Sequence, residues 1–486
     1  MPQIRRVHFI WIGGCGMSGI ALVAHERGLE VTGSDLKETR YMRSLLRANV
    51  QVTVGHDAAN VEDPAIDVVV VSAAISEKNP EYRAAVDRGL EIWPRARMLA
   101  YLSQGRKTLA VAGTHGKTTT SSMLACALDR LGTNPTFLIG GVVDGYDSTA
   151  QAGGGDFFVV EADESDGSFT WLDPSLAIVT NIEMDHLDYY ASLDDILTAF
   201  ASFLEKLAPN GNLIVFGGCA ELVALAQSSG RTVSTYGFEG EVAVRCEPRG
   251  VCDFDVVFAD GQRCSLALPA APGAHNMLNA TAVMAALDVL GFNRDAAAAA
   301  LGTFGGVRRR FDRIGEAAGV AVVDDYGHHP TEIAATLAAA AGLGYRRVHV
   351  LFQPHRYTRT RALLNDFARA FGDAGTISLM DVYSAGEAPI PGVTSEALAE
   401  AIRAEDPTAE VRTIRHRTEV PQAMATAAEE GDLIITMGAG DVTVLAPLVL
   451  EALRAREAGQ QTQGQRPAAQ RRARQAQSQE RNDVGL

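Results

Sequence analysis

Short apolar runs alternate with amphipathic segments along most of this chain, and this alternation constrains the fold more than any other feature. The runs, such as VHFIWIG near the start and DLIITMG near the end, have the length and composition of buried strands. The segments between them have helical periodicity. A strand–helix–strand order of this kind is typical of parallel sheets with crossover helices, so the sequence predicts an α/β protein.

The alternation falls into three series, which predicts three domains and a tail. Dividing 486 residues by about 150 residues per domain gives a similar number. The predicted limits are a Rossmann-like domain over 1–106, a central α/β domain over 107–312 with a β-rich portion at 212–269, a second Rossmann-like domain over 313–458, and a disordered Gln-, Ala- and Arg-rich tail over 459–486. Helices of the third series are predicted over 331–342, 360–371, 395–404, 420–429 and 441–457.

Composition excludes several classes of function. Lys and Arg total 43 and Asp and Glu total 59, a net charge of −16 that repels nucleic acids. Apolar runs stay well below the ~18 residues of a membrane-spanning helix. The six cysteines stand singly, which favours neither disulfides nor a zinc site. The start, MPQIRRVHFIWIGG, runs straight into a strand, so we expect a cytoplasmic protein without nucleic-acid or membrane partners.

A glycine-rich turn follows the first strand. Gly14, Gly16 and Gly19 fit the GxGxxG pattern at the start of a helix, and Asp35 ends the next strand. Such a turn lets the backbone approach a diphosphate, which fits either a nicotinamide dinucleotide or a UDP-linked sugar. The candidate binding residues here and at the nearby strand ends are Gly14, Cys15, Gly16, Met17, Ser18, Asp35 and Ser72.

A second phosphate-binding motif, GTHGKTTT at 113–120, lies between a strand and a helix. In such a loop the backbone N–H groups surround phosphates, Lys117 places its charge against them, and Thr118 offers a hydroxyl to Mg²⁺. The strict Walker pattern has glycine where this chain has Val111. The central domain is still predicted to be a P-loop ATPase, with candidate ATP-binding residues Gly113, Thr114, His115, Gly116, Lys117, Thr118 and Thr119.

Acidic residues follow a neighbouring strand of the same domain. Glu161 ends the apolar run FFVVE, and the next apolar run leads into NIEMDHLD. Because the carboxyl ends of parallel strands meet at one edge, these residues should converge on the phosphate loop. Glu161 is the predicted Mg²⁺ ligand, since carboxylate oxygens suit this hard cation.

Six motifs resemble, in order, those of the Mur ligase family of peptidoglycan synthesis: GTHGKTTT, EADESDGSF, TNIEMDHLDYY, GAHNMLNATAV, RRRFDRIG and DDYGHHPTEI. The early GGCGMSGIA, and FQPHRYTRTR with DVYSAGE near the end, are similar to the members that join L-alanine to UDP-N-acetylmuramate. The resemblance covers about 1–457. It implies a UDP-sugar domain, a central ATPase, and a last domain that closes over ATP and brings in the amino acid.

The resemblance also implies roles for individual residues. Thr118 and Glu161 would bind one Mg²⁺, and Glu161 with His186 a second. The remaining ATP-site residues would be Asn276, Asn279, Arg310 and Asp324. The alanine-side residues would be Tyr326, His355, Arg356 and Arg359. The catalytic set would be Lys117, Glu161, His186, His329 and Arg356.

The implied reaction is attack of the muramyl carboxylate on the γ-phosphate of ATP, followed by attack of the alanine amine on the acyl phosphate. His328, His329 and His355 are candidates for removing the amine proton or for binding, although a structural or capping role is equally open. The family also implies a bacterial cytoplasmic location, and the chain is expected to be a monomer or a weak homodimer. Lys206 is predicted to be a surface charge.

Three alternatives remain open from the sequence. A nicotinamide dehydrogenase would explain the first glycine turn and Asp35 but not the phosphate loop. A nucleotide switch would hydrolyse ATP without joining substrates. A relative that adds a recycled tripeptide to the same sugar would share fold and chemistry, and FQPHRYTRTR favours the single amino acid over it.

Overall fold

The computed structural model describes residues 4–72, 75–165, 167–185 and 189–459. Within these residues the strands form three sheets, and the chain divides after Arg308 into two compact units. The first two sheets belong to the first unit and the third sheet to the second. The predicted limit at 107 therefore falls inside one unit. His186 and 460–486 of the predicted tail lie outside the described residues.

The first sheet is parallel, with strand order β3-β2-β1-β4-β5. Its central strand is buried because alternate residues, such as Val7 and Phe9, pack into the core. The apolar run VHFIWIG, predicted to be a strand, contains β1. The strands are β1 Arg6–Ile10, β2 Glu30–Asp35, β3 Gln51–Val54, β4 Val68–Val71 and β5 Glu91–Pro94, and the helices are α1 Cys15–Glu26, α2 Met42–Arg47, α3 Pro80–Asp87 and α4 Arg95–Ser103.

The second sheet has strand order β15-β14-β13-β12-β11-β10-β6-β9-β7-β8. Its central strands are parallel, whereas β13, β14 and β15 form an antiparallel meander, in agreement with the predicted β-rich portion. The strands are β6 Lys107–Ala112, β7 Thr136–Val143, β8 Ser148–Gln151, β9 Phe157–Glu161, β10 Leu176–Val179, β11 Asn212–Phe216, β12 Thr232–Gly237, β13 Val244–Pro248, β14 Asp253–Phe258 and β15 Arg263–Ala267. The helices are α5 Lys117–Arg130, α6 Leu193–Glu205, α7 Ala220–Ser228, α8 Ala274–Val289 and α9 Arg294–Leu301.

The third sheet has strand order β16-β17-β21-β18-β19-β20 and is parallel except for β16. Its core is formed by fully buried Val and Ile residues of β17, β18 and β21. The strands are β16 Asp312–Ala317, β17 Val320–Asp325, β18 Val348–Phe352, β19 Thr376–Leu379, β20 Val411–Thr413 and β21 Leu433–Met437. The helices are α10 Pro330–Gly342, α11 Tyr357–Ala362, α12 Leu364–Arg369, α13 Ser395–Glu405, α14 Val420–Ala427 and α15 over 445–459.

Two details of the third series differ from the prediction. The helix predicted over 360–371 is two short helices, α11 and α12, because Leu363 leaves the helical conformation at φ −109° and ψ 20°. The helix predicted over 441–457 begins at 445, after a single 3₁₀ turn over 441–444. Residue 459, the first of the predicted disordered tail, belongs to this helix.

Each helix in the described part of the chain is too short or too polar to cross a lipid bilayer. All six cysteines lie in the described ranges and are free thiols.

Candidate active site

The phosphate loop 113–116 connects β6 to α5 and approaches two neighbouring segments closely. Gly113 and Gly116 have φ values of 130° and 82°, a region that favours glycine. A Cβ on Gly113 would lie 2.1 Å from Oγ1 of Thr180, and one on Gly116 would lie 2.7 Å from Oδ1 of Asn279. The structure therefore brings Asn279, a predicted ATP-site residue, against the loop. Asn279 is in turn held by Asn276, whose Oδ1 accepts its amide at 3.1 Å.

Lys117 is the first residue of α5, and its ammonium group is fixed from three sides. Nζ donates to the carbonyl oxygens of Gly113 at 2.6 Å and Thr114 at 3.1 Å, and to Oε1 of Glu164 at 2.7 Å. Glu164 is almost fully buried. Burial alone would lower the pKa of Lys117, but the carboxylates of Glu164 and Asp163 outweigh it and raise the pKa above its ordinary value. Lys117 is therefore a fixed positive charge at the loop.

Thr118 and Glu161 form an oxygen-rich pair beside this charge. The Thr118 hydroxyl donates to Oε1 of Glu161 at 2.9 Å, and the N–H of Gly140 donates to Oε2 at 2.7 Å. Burial raises the pKa of the Glu161 carboxyl, even though Lys117 favours its charged form. A hydroxyl and a carboxylate are a suitable donor set for Mg²⁺, so the residues present fit the predicted metal.

The segment after β10 supports the loop from the other side. The N–H of His115 donates to Oδ1 of Asn181 at 2.8 Å, and the amide of Asn181 donates back to the carbonyl oxygen of His115 at 3.1 Å. The N–H of Glu183 donates to the Thr114 hydroxyl at 2.8 Å, and its carboxylate lies 3.5 Å from Nε2 of His115. Thr119 is buried in the first turn of α5. The predicted convergence on the phosphate loop is thus observed for Asn181 and Glu183.

The first glycine turn also approaches Glu161. The Cys15 thiol lies 3.5 Å from the carbonyl oxygen of Gly140, the residue whose N–H holds Glu161. Burial raises the pKa of this thiol. A Cβ on Gly16 would lie 2.7 Å from Nη1 of Arg95, which places the Arg95 guanidinium against the turn.

The other predicted residues of this turn have structural contacts. Oδ2 of Asp35 accepts the N–H of Gly13 at 3.0 Å, which fixes the turn. Met17 and Ser18 are buried in α1, where the Ser18 hydroxyl donates to the carbonyl oxygen of Cys15 at 3.1 Å. Gly14 precedes α1 in an extended conformation, and half-buried Ser72 follows β4. Their roles toward a ligand stay predictions.

In the second unit, Tyr326 lies under two arginines at the end of β17. The guanidinium carbons of Arg309 and Arg310 are 4.6 and 4.9 Å from the centre of its ring. The carboxylate of Asp324 accepts hydroxyl hydrogen bonds from Thr436 at 2.5 Å and Thr443 at 2.6 Å. Burial raises the pKa of Asp324. Two predicted ATP-site residues, Arg310 and Asp324, thus lie near a predicted alanine-side residue.

His355 and Arg356 form a second group in this unit. The His355 ring stacks on Tyr383 with centroids 5.5 Å apart, and its Nδ1 lies 3.4 Å from Nη1 of Arg359. Burial and the positive charges of Arg359 and Arg356 lower the pKa of His355 to about 4. Arg356 has a φ of 70° and donates from Nε to Oε1 of Glu387 at 2.7 Å. The structure therefore brings together His355, Arg356 and Arg359, as the resemblance implies.

His329 has an evident structural role. It precedes α10, where its Nδ1 accepts the N–H of Thr331 at 3.4 Å and its own N–H donates to Glu332 at 3.3 Å. His329 thus has the helix-capping role that the sequence left open. A catalytic role for His329 stays a prediction. Nδ1 of His328 lies 3.3 Å from Oε2 of Glu332.

Sequence reasoning missed several residues of these groups. Glu164 is one of several acidic residues in EADESD, and the sequence does not show that its side chain is buried. Gly140 and Arg95 belong to elements distant in sequence from both glycine motifs. Glu387 lies in DVYSAGE, which indicated the resemblance but not a contact with Arg356.

Family models match the three sheets in turn. The Mur ligase family catalytic-domain model matches residues 6–107, the Mur ligase middle-domain model matches 111–287, and the Mur ligase glutamate-ligase-domain model matches 309–440.

Relatives that match this chain over nearly their full length are named UDP-N-acetylmuramate–L-alanine ligase. A UDP-N-acetylmuramate–L-alanine ligase of Geotalea daltonii is 42% identical over 93% of this chain and 99% of the relative. One of Anaeromyxobacter sp. is 45% identical over 93% and 98%. The structure of a UDP-N-acetylmuramate–alanine ligase of Thermotoga maritima has a TM-score of 0.77 at 28% identity and covers 93% of this chain and 100% of that chain. A murein peptide ligase of Psychrobacter arcticus gives 0.68 at 26% identity, over 93% and 99%. The predicted three-domain α/β architecture is confirmed, and the chain belongs to the Mur ligase family.

Proposed function

We propose that this protein joins L-alanine to the carboxylate of UDP-N-acetylmuramate and converts ATP to ADP and phosphate. The proposal is supported by the names of relatives that match over nearly their whole length and by the phosphate loop. The muramyl carboxylate attacks the γ-phosphate, ADP leaves, and the alanine amine then displaces phosphate from the acyl phosphate. The product is an amide on a nucleotide-linked sugar, as peptidoglycan precursor synthesis requires.

The observation that carries this proposal is the position of Lys117. A carboxylate approaching a triphosphate meets like charge, and two unit charges about 4 Å apart repel by about 4 kcal/mol at an effective dielectric constant near 20. This cost alone would slow the step roughly a thousandfold. Lys117 is held at the loop by two carbonyl oxygens and Glu164, so its positive charge is already positioned there before the substrates arrive.

Mg²⁺ would be held by Thr118 and Glu161, whose hydroxyl and carboxylate are already hydrogen bonded to each other. When bound, the ion neutralises charge on the phosphate oxygens. We propose a second ion on Glu161 and His186, on the family resemblance. Titration with Mn²⁺ in the presence of ADP, followed by electron paramagnetic resonance, should give two ions per chain. A stoichiometry of one would contradict the second site.

The alanine-side residues would be those of the second unit. The guanidinium groups of Arg356 and Arg359 suit a carboxylate or a phosphate. His355 is uncharged at neutral pH because its pKa is about 4. A ring with so low a pKa is a weak base, so we propose that His355 contributes to amino-acid binding rather than to removal of the amine proton, whereas Nδ1 of His329 is engaged in capping α10. Tyr326 would line the same amino-acid subsite.

The second candidate is addition of a recycled peptide to the same sugar, because the Psychrobacter arcticus structure of similar fold carries the name murein peptide ligase. Purified protein with ATP, Mg²⁺ and UDP-N-acetylmuramate should release phosphate with L-alanine and not with L-alanyl-γ-D-glutamyl-meso-diaminopimelate. Faster turnover with the tripeptide would assign the protein to the second candidate. Phosphate release without any amino acceptor would indicate a nucleotide switch instead.

On the family resemblance, we also propose a cytoplasmic location. We further propose that the protein is a monomer or a weak homodimer, and sedimentation at several protein concentrations would test this oligomeric state.

A further inference from the structure

A cavity of about 90 Å³ lies between α1 and α4 on one side and β7 and β9 on the other. Gly16 and Gly19 of the first glycine turn form one end, and Glu161 lies in the same wall as Asp163. The polar side chains that line it are those of Arg95, Thr149, Glu161 and Asp163, and the apolar ones include Ile20, Leu138 and Phe169. The cavity therefore connects the glycine turn to the carboxylate of the phosphate site.

Arg95 is the positively charged side chain in this lining. Its guanidinium lies against the glycine turn, since a Cβ on Gly16 would be 2.7 Å from Nη1. Its ion pair is long, with 3.6 Å between Nη2 and Oδ2 of Asp163, and the side chain is 34% exposed. A guanidinium has five N–H donors in a planar fork, and a pair of this length engages few of them.

The charges of the cavity wall favour Arg95 as the contact for an anion. Glu161 and Asp163 line the same space and would repel a carboxylate or phosphate group. Lys117 Nζ is bonded to Glu164 and to two carbonyl oxygens of the phosphate loop. Arg95 is placed to offset the two acids and to offer a bidentate contact, the geometry in which guanidinium groups bind oxyanions.

We propose that Arg95 binds an oxyanion of the nucleotide-sugar substrate in this cavity, either its diphosphate or its muramyl carboxylate. The inference rests on the proposed function, because it takes UDP-N-acetylmuramate as the substrate. The apolar wall suits the methyl group next to the acid, whereas the glycine turn suits the diphosphate. The diphosphate and the carboxylate belong to the same substrate molecule. A contact of Arg95 with either group would therefore hold the substrate between the first glycine turn and the phosphate loop.

Calorimetric binding of UDP-N-acetylmuramate to Arg95→Gln tests the proposal. Hydrogen bonds to charged groups contribute about 1.5–3 kcal/mol, so affinity should fall about 10- to 100-fold while ADP affinity and melting temperature stay unchanged. Arg97→Gln is the matched control, because Arg97 lies on the same helix with 32% exposure but pairs with Glu91. Arg95→Lys keeps the charge without the fork and should bind with intermediate affinity.

A second ligand separates the two oxyanions. UDP-N-acetylglucosamine has the diphosphate but lacks the acid, so a parallel loss of its affinity assigns Arg95 to the diphosphate. A loss confined to UDP-N-acetylmuramate assigns it to the carboxylate. Unchanged affinity for both ligands in Arg95→Gln would overturn the inference while leaving the proposed function intact, provided that the wild type forms the amide. Should Arg95→Gln fail to fold, the same comparison is made with Arg95→Lys.

Discussion

At the scale of single residues, the phosphate site depends on the Lys117 ammonium group, which Glu164 and two carbonyl oxygens hold at the loop. The sequence predicts Lys117, Thr118 and Glu161 from a glycine loop and an acid at the end of a strand. Glu164 could not be chosen in advance, because EADESD contains four carboxylates and the sequence does not show that Glu164 is buried against Lys117. The same holds for Asp35, whose carboxylate accepts the N–H of Gly13, a contact that spacing alone does not reveal.

Lys117→Ala tests the role of the fixed charge. Turnover should fall by about a thousandfold, because about 4 kcal/mol of repulsion is no longer offset. Binding of UDP-N-acetylmuramate, measured by calorimetry, should stay nearly unchanged. Lys206→Ala is the control, since Lys206 is exposed at the end of α6, as predicted. Near-normal phosphate release by Lys117→Ala would remove the loop from the mechanism.

At the scale of elements, strands with apolar runs were predictable, whereas the edge strand β16 was not. β16 has the sequence DRIGEA and pairs with β17 at the sheet edge, where partial exposure permits charged residues. Such a strand has no apolar run to reveal it. The break between α11 and α12 could not be predicted from the sequence either, because Leu363 is a good helix former. By contrast, the glycines of the phosphate loop indicated its tight turn directly.

Gly113→Ala tests that turn. The new Cβ would meet Oγ1 of Thr180 at 2.1 Å, in a backbone conformation with φ 130°. We expect loss of ATP binding and a stability lower by about 2–4 kcal/mol. Gly145→Ala adds a Cβ at φ 82° with nothing within 4 Å, so it should cost only about 1 kcal/mol. Equal melting temperatures for the two variants would contradict the close approach.

Helix α3 carries a pH-dependent contribution to stability through Glu81. Its buried carboxylate accepts the Ser34 hydroxyl and the Asn60 amide, both at 2.6 Å. Burial alone would raise the pKa of Glu81, but hydrogen bonds from His8, Ser34 and Asn60 outweigh it and lower the pKa to about 2. The stabilisation is therefore complete above the ordinary glutamate pKa and is lost as the pH falls toward 2, with about 1 kcal/mol gone by pH 4.

Urea unfolding of Glu81→Gln, followed by tryptophan fluorescence, checks this contribution. The free-energy difference between wild type and variant should be largest near pH 7 and should shrink as the pH falls to 4. Exposed Glu62 provides the control, since Glu62→Gln should leave the difference near zero at both pH values. If the difference in unfolding free energy between wild type and Glu81→Gln does not change with pH, the lowered pKa of Glu81 is ruled out.

At the scale of the whole molecule, the order of elements predicted the three sheets, and the motif order predicted the family. The division into two compact units was not predictable, because it depends on the packing of α1 onto the β7–β8 hairpin. Gly19 permits that contact, since a Cβ there would lie 3.1 Å from Ala150 and 3.2 Å from Leu138. Sequence periodicity does not show which surfaces of two sheets will meet.

The most direct measurement follows an oxygen atom through the reaction. UDP-N-acetylmuramate labelled with ¹⁸O in its carboxylate is incubated with the protein, ATP, Mg²⁺ and L-alanine, and the products are analysed by mass spectrometry. If the carboxylate attacks the γ-phosphate, one labelled oxygen appears in inorganic phosphate and the other stays in the amide, with ADP and amide in equal amounts. Unlabelled phosphate, or ADP formed without amide, would contradict activation of this acid by ATP.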